Sequence, residues 1–246
     1  MAYLSIKNLN LTIESRRLLE DVSFDVEKGT LTLVAGRNGS GKSLLLKCLK
    51  GLEKPDSGVI TLCGRELKKT KERMKTFGLV FQDTSLQIVG STVEHDIAFG
   101  LENQKKSREE IKRKTDEMLS LFDLEYAREM NPGVLSGGEK RRLCIAGVLA
   151  MEPDVLLLDE PLANLDYPSV LIVLKTLQTL KEKGITVIIV SHEAEKFLSL
   201  TDNTIVISKG RIAGSGRSED MMDTLRENAV YLPKACAFKD LSWLED

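Results

Sequence analysis

The chain has 246 residues, of which 42% are hydrophobic, and its 35 lysines and arginines nearly balance its 37 aspartates and glutamates. This length is sufficient for one sizeable hydrophobic core. The formal net charge of −2 provides no basic footprint for non-specific nucleic-acid binding, so we expect no nucleic-acid partner. No apolar run approaches the roughly 18–20 residues that cross a bilayer, and the N-terminus shows no export signal.

The cysteines show no C-x-x-C pairing that would indicate a metal or redox site. They are Cys48, Cys63, Cys144 and Cys236. The pattern favours buried, reduced thiols over disulfide or metal chemistry.

The first third of the chain is predicted to consist mostly of strands. Residues 22–26 alternate between polar and apolar with a period of two, which is typical of a half-buried strand. Leu31–Ala35 is a continuous apolar run and predicts a buried strand. Residues 58–62 and 77–81 are further strands bounded by turn signals.

A glycine-rich loop directly follows the apolar run Leu31–Ala35. It fits G-x-x-x-x-G-K-[S/T] at every specified position, as Gly36-Arg37-Asn38-Gly39-Ser40-Gly41-Lys42-Ser43. The glycines let backbone N–H groups approach a phosphate chain, and the helix that follows points its positive end at that charge. Lys42 can reach the β- and γ-phosphates, and the Ser43 hydroxyl can ligate Mg²⁺. The loop therefore predicts a nucleotide site.

Residues 92–150 change in character and are predicted to be helical. Ser107 and Glu110 have the spacing of a capping box, and apolar residues follow at the spacing of one helical face. Residues 155–159 and 185–190 are again continuous apolar strands, separated by a helix over 169–183 that ends at Gly184. This order predicts an α/β fold with a parallel-sheet core, an antiparallel β portion and a helical subdomain at 92–150. We interpret residues 1–246 as one domain whose tail, 220–246, carries no motif.

Two adjacent carboxylates, Asp159 and Glu160, follow the apolar residues 155–158. In enzymes with such a phosphate loop, a carboxylate at a strand end helps to hold Mg²⁺, and we assign that role to Asp159. The metal ligands expected from the sequence are thus Ser43 and Asp159.

A second motif, Leu135-Ser136-Gly137-Gly138-Glu139, lies between the loop and the carboxylates. The two motifs in this order resemble the ATP-binding cassette (ABC) family, and the resemblance extends over residues 4–216. In that family the Leu-Ser-Gly-Gly signature of one subunit closes over ATP held by the loop of another. The resemblance therefore implies a P-loop ATPase that uses ATP and Mg²⁺ and works as a dimer.

The same resemblance assigns catalytic roles to residues that would mean little in isolation. It implies that Glu160 polarises the attacking water and that His192, after the strand 185–190, contacts the γ-phosphate. Gln82 matches the glutamine that touches Mg²⁺ and water and senses a membrane subunit. Asp166 matches the aspartate that communicates across the dimer, although Ala163-Asn164 before it departs mildly from the family pattern.

One expected residue is missing from the first strand. ABC proteins commonly stack an aromatic side chain on the adenine ring, and the matching position here is Ile13. An aliphatic side chain can cover the ring but lacks the extra ~0.5–1.5 kcal/mol of an aromatic pair. Adenine selectivity is the part of the nucleotide prediction with the least sequence support.

Two further segments resemble one branch of the family, the ATPase subunits of energy-coupling-factor importers for vitamins and for cobalt or nickel. They are residues 81–103, with a second glutamine at Gln87, and residues 139–151. The resemblance implies a peripheral ATPase on the cytoplasmic face of the membrane, paired with itself or with a paralogous ATPase. It would dock, around residues 82–96, on a transmembrane coupling protein that serves a small substrate-capture subunit.

Other readings remain open at this point. The chain could serve another class of ABC transporter. DNA-repair ABC machines carry long coiled-coil insertions, and translation factors of the family fuse two cassettes, neither of which is visible here. A degenerate cassette kept only for assembly is disfavoured by Lys42, Asp159, Glu160 and His192.

Overall fold

The structure is a computed structural model that describes residues 2–234 and 237–244. The strands in chain order are β1 (Leu4–Ile13), β2 (Arg16–Val26), β3 (Leu31–Ala35), β4 (Ser57–Leu62), β5 (Arg65–Glu66), β6 (Phe77–Val80), β7 (Val155–Asp159), β8 (Val187–Ser191), β9 (Asn203–Ser208) and β10 (Arg211–Arg217). The α-helices are α1 (Lys42–Lys50), α2 (Thr70–Thr76), α3 (Val93–Asn103), α4 (Arg108–Leu121), α5 (Gly137–Ala150), α6 (Tyr167–Glu182) and α7 (Met222–Glu227).

The central sheet has the strand order β10-β9-β3-β8-β7-β6, and its strands are parallel except for the antiparallel edge strand β10. Every residue of β3, β7 and β8 is buried, as continuous apolar runs predict. The strands predicted at Leu31–Ala35 and Val155–Asp159 are confirmed. The strand predicted at 185–190 begins two residues later, because the Ile185 N–H closes the end of α6 by bonding the Leu180 carbonyl.

The N-terminal strands form a separate antiparallel sheet in the order β2-β1-β4-β5. A tight turn joins β1 to β2, and its two residues, Glu14 and Ser15, both have positive φ. Alternate side chains of the central strands face opposite sides, so the core lies on both faces of the central sheet. One side packs against the antiparallel sheet and α1, and the other packs against α3, α5 and α6.

Helices α3, α4 and α5 occupy the region predicted to be helical. Ser107 caps α4 by accepting the Glu110 N–H at 3.2 Å. The carboxylate of Glu110 instead pairs with Lys106 at 2.6 Å. The serine half of the predicted capping box is therefore confirmed, while the glutamate binds a neighbouring lysine.

The described residues of the C-terminal tail pack back on the core, although their sequence carries no motif. Leu225 and Leu241 are buried in the main core cluster. The ring of Trp243 lies 5.9 Å from that of Tyr167 at the start of α6, and the Lys196 ammonium lies 5.5 Å from the Trp243 ring centre. The described part of the tail, residues 220–234 and 237–244, is thus packed on the folded core.

The cysteine prediction holds for Cys48 and Cys144, which are buried free thiols whose pKa burial raises to about 12. It is wrong for Cys63, which is exposed at the turn between β4 and β5, where it adopts a positive φ. Cys236 lies outside the described residues. Among the helices of the described residues, none is long and apolar enough to cross a membrane.

Candidate active site

The glycine-rich loop connects β3 to α1 at the carboxyl edge of the central sheet. The ammonium of Lys42 is buried and donates to the carbonyls of Gly36 at 2.8 Å and Arg37 at 3.1 Å. Gly41 has a φ of 105°, and a Cβ there would lie 3.0 Å from the Leu18 carbonyl oxygen. Both the backbone angle and the lack of space therefore require glycine at this position.

The local electrostatics of the loop suit a polyphosphate. Helix α1 begins at Lys42 with neither a side-chain cap nor an acidic residue in its first turn. Its first N–H groups and its positive end are consequently available to an anion. Burial lowers the pKa of Lys42, and the carboxylates of Glu160 and Asp159 oppose that shift.

A hydroxyl and a carboxylate meet beside this loop. Ser43 Oγ donates to Asp159 Oδ1 at 2.9 Å, joining the start of α1 to the end of β7. Burial raises the pKa of Asp159, and the hydrogen bond from Ser43 opposes the shift. A serine oxygen and a carboxylate oxygen are the hard ligands that Mg²⁺ prefers, so the pair fits the ion that sequence analysis assigned to it.

Glu160, the second carboxylate, is held by the neighbouring strand β8. Its Oε2 accepts from Ser191 Oγ at 2.9 Å and from the His192 N–H at 3.3 Å. Its Oε1 lies 3.7 Å from Lys42 Nζ and 3.0 Å from His192 Nδ1, in the latter case without the alignment of a hydrogen bond. Glu160 also has a φ of 46°, a conformation that non-glycine residues adopt rarely and that clusters at functional sites.

A cleft of about 310 Å³ opens at this edge of the sheet. Its lining residues come from the loop, from the segment after β6 and from the ends of β7 and β8: Asn38, Gly39, Gly41, Lys42, Ser43, Leu44, Gln82, Glu160 and His192. The structure thus brings Gln82, Glu160 and His192 to the phosphate loop. Among the described residues, Ile13, the segment 135–139 and Asp166 do not line this cleft.

The segment 135–139 forms the start of α5. Ser136 Oγ accepts the Glu139 N–H at 3.3 Å, and Glu139 Oε2 accepts the Ser136 N–H at 2.7 Å. Tyr126 donates its hydroxyl to the other oxygen of Glu139. A Cβ on Gly138 would lie 2.9 Å from Ser169 Cβ, so glycine lets the start of α5 approach the start of α6.

Asp166 is the N-cap of α6. Its carboxylate accepts the Ser169 N–H at 3.2 Å, and hydrogen bonds from Ser169 lower the pKa of Asp166. Its side chain is exposed beside the start of α5. Sequence analysis assigned this residue a role across a dimer, and the structure adds a local capping function.

Ile13 ends β1 at the turn into β2. It is half-buried and packs against the core cluster between the antiparallel sheet and the central sheet. Among the described residues, Ile13 thus does not line the cleft formed by the phosphate loop, and its contact with adenine stays a prediction.

Two contacts at the site are not predictable from the motifs of the sequence. Ser191 binds Glu160, and the signal that could have revealed it is a hydroxyl residue at the end of a strand beside the carboxylate strand. The second contact is that of Gln87, which in the sequence only marks the branch of the family. Its amide oxygen accepts the Phe81 N–H at 2.9 Å and its nitrogen donates to the Leu79 carbonyl at 3.3 Å, so it fastens the loop that carries Gln82.

Comparisons with known proteins agree with this architecture. The sequence profile of the ABC transporter family matches residues 19–163. The chain is 38% identical to an energy-coupling factor transporter ATP-binding protein EcfA of Methanoculleus marisnigri, over 90% of this chain and 88% of the relative. It is also 38% identical to EcfA2 of Enterococcus faecalis, over 92% of this chain and 82% of the relative.

A solved structure, CbiO1 of Clostridium perfringens, is described as part of the ABC transporter complex CbiONQ. It superimposes with a TM-score of 0.83 at 33% identity, covering 95% of this chain and 96% of that chain. The predicted P-loop ABC fold, with its antiparallel sheet and its parallel core, is confirmed. The chain therefore belongs to the ABC transporter family, as an ATP-binding subunit similar to those of energy-coupling factor transporters.

Proposed function

We propose that this protein is the ATP-hydrolysing subunit of an energy-coupling-factor importer for a micronutrient such as a vitamin or a cobalt or nickel ion. The observation that carries the proposal is the convergence of Lys42, Ser43, Glu160 and His192 on one cleft, with Asp159 hydrogen-bonded to Ser43. The names of the relatives and of CbiO1 supply the transport context. We treat residues 1–246 as one ABC ATPase domain with a helical subdomain at 92–150.

In this proposal the loop, residues 36–43, cradles the phosphates of ATP while Lys42 neutralises their charge. Ser43, Asp159 and Gln82 would hold Mg²⁺, which when bound would offset the negative charge of the phosphates. Glu160 accepts the proton of the attacking water, and Ser191 keeps its carboxylate turned towards the cleft. His192 faces the same cleft and contacts the γ-phosphate.

The signature residues would act on ATP bound by a second ATPase chain, either a copy or a paralogue. In support, residues 135–139 do not line the cleft formed by their own chain's phosphate loop among the described residues. Ser136 and Gly137 at the start of α5 are exposed, as is Asp166 at the start of α6. Both features suit a face that meets another subunit.

We place the docking surface for the transmembrane coupling protein on residues 81–92, which connect β6 to α3 and which we call the Gln82 loop, and on α3 itself. Leu86 and Val89 on this loop are large, exposed apolar side chains, and Phe99 on α3 is exposed as well. A contiguous exposed apolar patch is typical of an interaction site, and we propose that these side chains contribute to one. We propose that this surface holds the chain to the cytoplasmic face of the membrane, and that the coupling protein serves a small substrate-capture subunit.

We expect Val89→Glu to weaken membrane docking at least ~10-fold, because it places a charge in the centre of an apolar contact. The assay is binding of the purified chain to urea-stripped inverted membrane vesicles of its host. Val59→Glu is the matched control, since Val59 is an exposed valine on β4, outside the proposed docking surface. Binding of the wild-type chain that is no stronger than its binding to pure lipid vesicles would contradict a protein docking site.

A second prediction concerns Ile13, which takes the place of an adenine-stacking aromatic residue. With only an aliphatic cover, ATP and GTP should differ in affinity by about tenfold or less. Ile13→Tyr should tighten ATP binding by about 2- to 12-fold, the equivalent of one aromatic pair at ~0.5–1.5 kcal/mol. Calorimetric titration of both proteins with both nucleotides measures this. A strong native preference for ATP that Ile13→Tyr leaves unchanged would show that another side chain reads the base.

A further inference from the structure

Helix α5 carries a buried arginine that grips the backbone of the Gln82 loop. Arg141 is 2% exposed, and its Nη1 and Nη2 donate to two consecutive carbonyls, those of Phe81 at 2.7 Å and Gln82 at 2.8 Å. The planar guanidinium presents its donors in a rigid fork. Two bonds from one fork therefore fix both the position and the orientation of this stretch of backbone.

The side chain of Gln82 depends on that backbone for its placement. Gln82 is exposed and lines the cleft, and among residues 2–234 and 237–244 its amide group has no hydrogen-bond partner. A second contact from the same face of α5 supports the loop, because Cys144 Sγ lies 3.9 Å from the Thr84 carbonyl. Helix α5, which begins in the signature motif, thus contacts the Gln82 loop through two side chains, Arg141 and Cys144.

Burying the charge of Arg141 costs free energy. We therefore expect the contact to have a specific role besides filling space in the core. Burial lowers the pKa of Arg141, and the negative groups around it, including Asp159 and Asp83, oppose the shift. Asp159, one of these negative groups, is the carboxylate assigned to Mg²⁺. A buried arginine remains charged in proteins and needs such partners.

We propose that Arg141 is a positioning residue that sets Gln82 for hydrolysis and links it to the signature motif. The inference rests on the proposed ATPase function. Arg141 lies on the first turns of the helix that begins with Ser136 and Gly137. When this chain's signature closes on ATP held by a second chain, α5 carries Arg141 with it, and Arg141 holds Gln82 in this chain's own site.

The neighbouring Arg142 offers a matched control on the same helix. It is also buried, at 8% exposure, and its Nη1 donates to a single carbonyl, that of Phe122, at 2.6 Å. Asp123 lies 3.7 Å away. Arg142 therefore anchors α5 to the end of α4 rather than to the Gln82 loop.

The test is a double-mutant cycle on the ATPase activity of the full-length chain. Arg141→Lys keeps the charge but loses the two-carbonyl fork, and kcat should fall about 10- to 100-fold, the usual cost of a misplaced catalytic group. In the Gln82→Ala background the same substitution should slow kcat by less than about threefold, because its target is already gone. Arg142→Lys should lower Tm by about as much as Arg141→Lys does, while its kcat should stay within about threefold of wild type.

Equal slowing by Arg141→Lys in the wild-type and Gln82→Ala backgrounds would overturn the inference. A loss of kcat in Arg142→Lys as large as that in Arg141→Lys would also overturn it, since both would then act through stability. If Arg141→Lys does not fold, the cycle is repeated with Arg141→Gln, which removes the buried charge, and the same outcomes decide. Absence of hydrolysis by the wild-type chain, both alone and together with a paralogous ATPase, would refute the proposed function itself, a result distinct from additivity among active variants.

Discussion

Glu160→Gln should slow ATP hydrolysis by about 10²–10⁴-fold while leaving ATP binding intact. The glutamine amide oxygen can still accept from Ser191 Oγ and from the His192 N–H, so the shape of the site is retained. The amide cannot take a proton from the attacking water, which the carboxylate can. Lys42 and Ser43, which carry the binding role, are unchanged.

Phosphate release and calorimetric ATP binding, measured on the same preparation, separate the two effects. Glu193→Gln is the matched control, because Glu193 is a nearby carboxylate whose side chain pairs with Lys196 at 2.5 Å. Its turnover should stay close to that of the wild type. Turnover of Glu160→Gln within about tenfold of wild type would contradict the role of Glu160 as the base.

The strands that position the site could be predicted, because a strand that is buried on both faces has a continuous run of apolar residues. Leu31–Ala35 and Val155–Asp159 are uninterrupted apolar runs, and each ends directly before or within a chemical motif. The start of β8 could not be predicted, because Ile185 is also apolar but its N–H serves the end of α6. Hydrophobicity alone does not distinguish these two uses of one residue.

The convergence of the site residues was also predictable in outline. Parallel strands bring their carboxyl ends to one edge of the sheet, so Glu160 after β7 and His192 after β8 had to lie near the phosphate loop. The support around them was not predictable. The contacts of Ser191 with Glu160 and of Tyr126 with Glu139 join residues distant in sequence through ordinary residue types.

The packing of the C-terminal tail could not be predicted from the sequence for a similar reason. Leu225, Leu241 and Trp243 carry no periodic pattern that would separate a packed segment from a loose one. Their partners, such as Tyr167 at the start of α6, come from far earlier in the chain. Only the assembled core reveals the surface on which they pack.

ATP should also join two chains through Ser136 and Gly138, and this is the second large effect expected. Ser136 Oγ uses a lone pair to cap α5, which leaves its O–H proton free to donate to a phosphate. Among the described residues the Gly137 and Gly138 N–H groups have no acceptor. Each charge-assisted bond from these donors to the γ-phosphate of the other subunit should contribute about 1.5–3 kcal/mol.

Ser136→Ala separates phosphate binding from helix capping when it is compared with Ser107→Ala. Both serines cap a helix by accepting the N–H three residues later, so each substitution should cost about 1 kcal/mol of stability. Only Ser136→Ala should weaken ATP-dependent association, by about tenfold or more. Equal association of the two variants would assign Ser136 a capping role alone.

Light scattering on Glu160→Gln, with and without ATP and Mg²⁺, tests ATP-driven closure most directly. We expect a monomer without nucleotide and a particle of twice that mass with ATP, because binding persists while hydrolysis is blocked. If the pair forms only when a paralogous ATPase is added, the chain is one half of a heterodimer and the mechanism stands. If ATP joins the chain to neither a second copy nor a paralogue, the proposed ATP-driven closure is wrong.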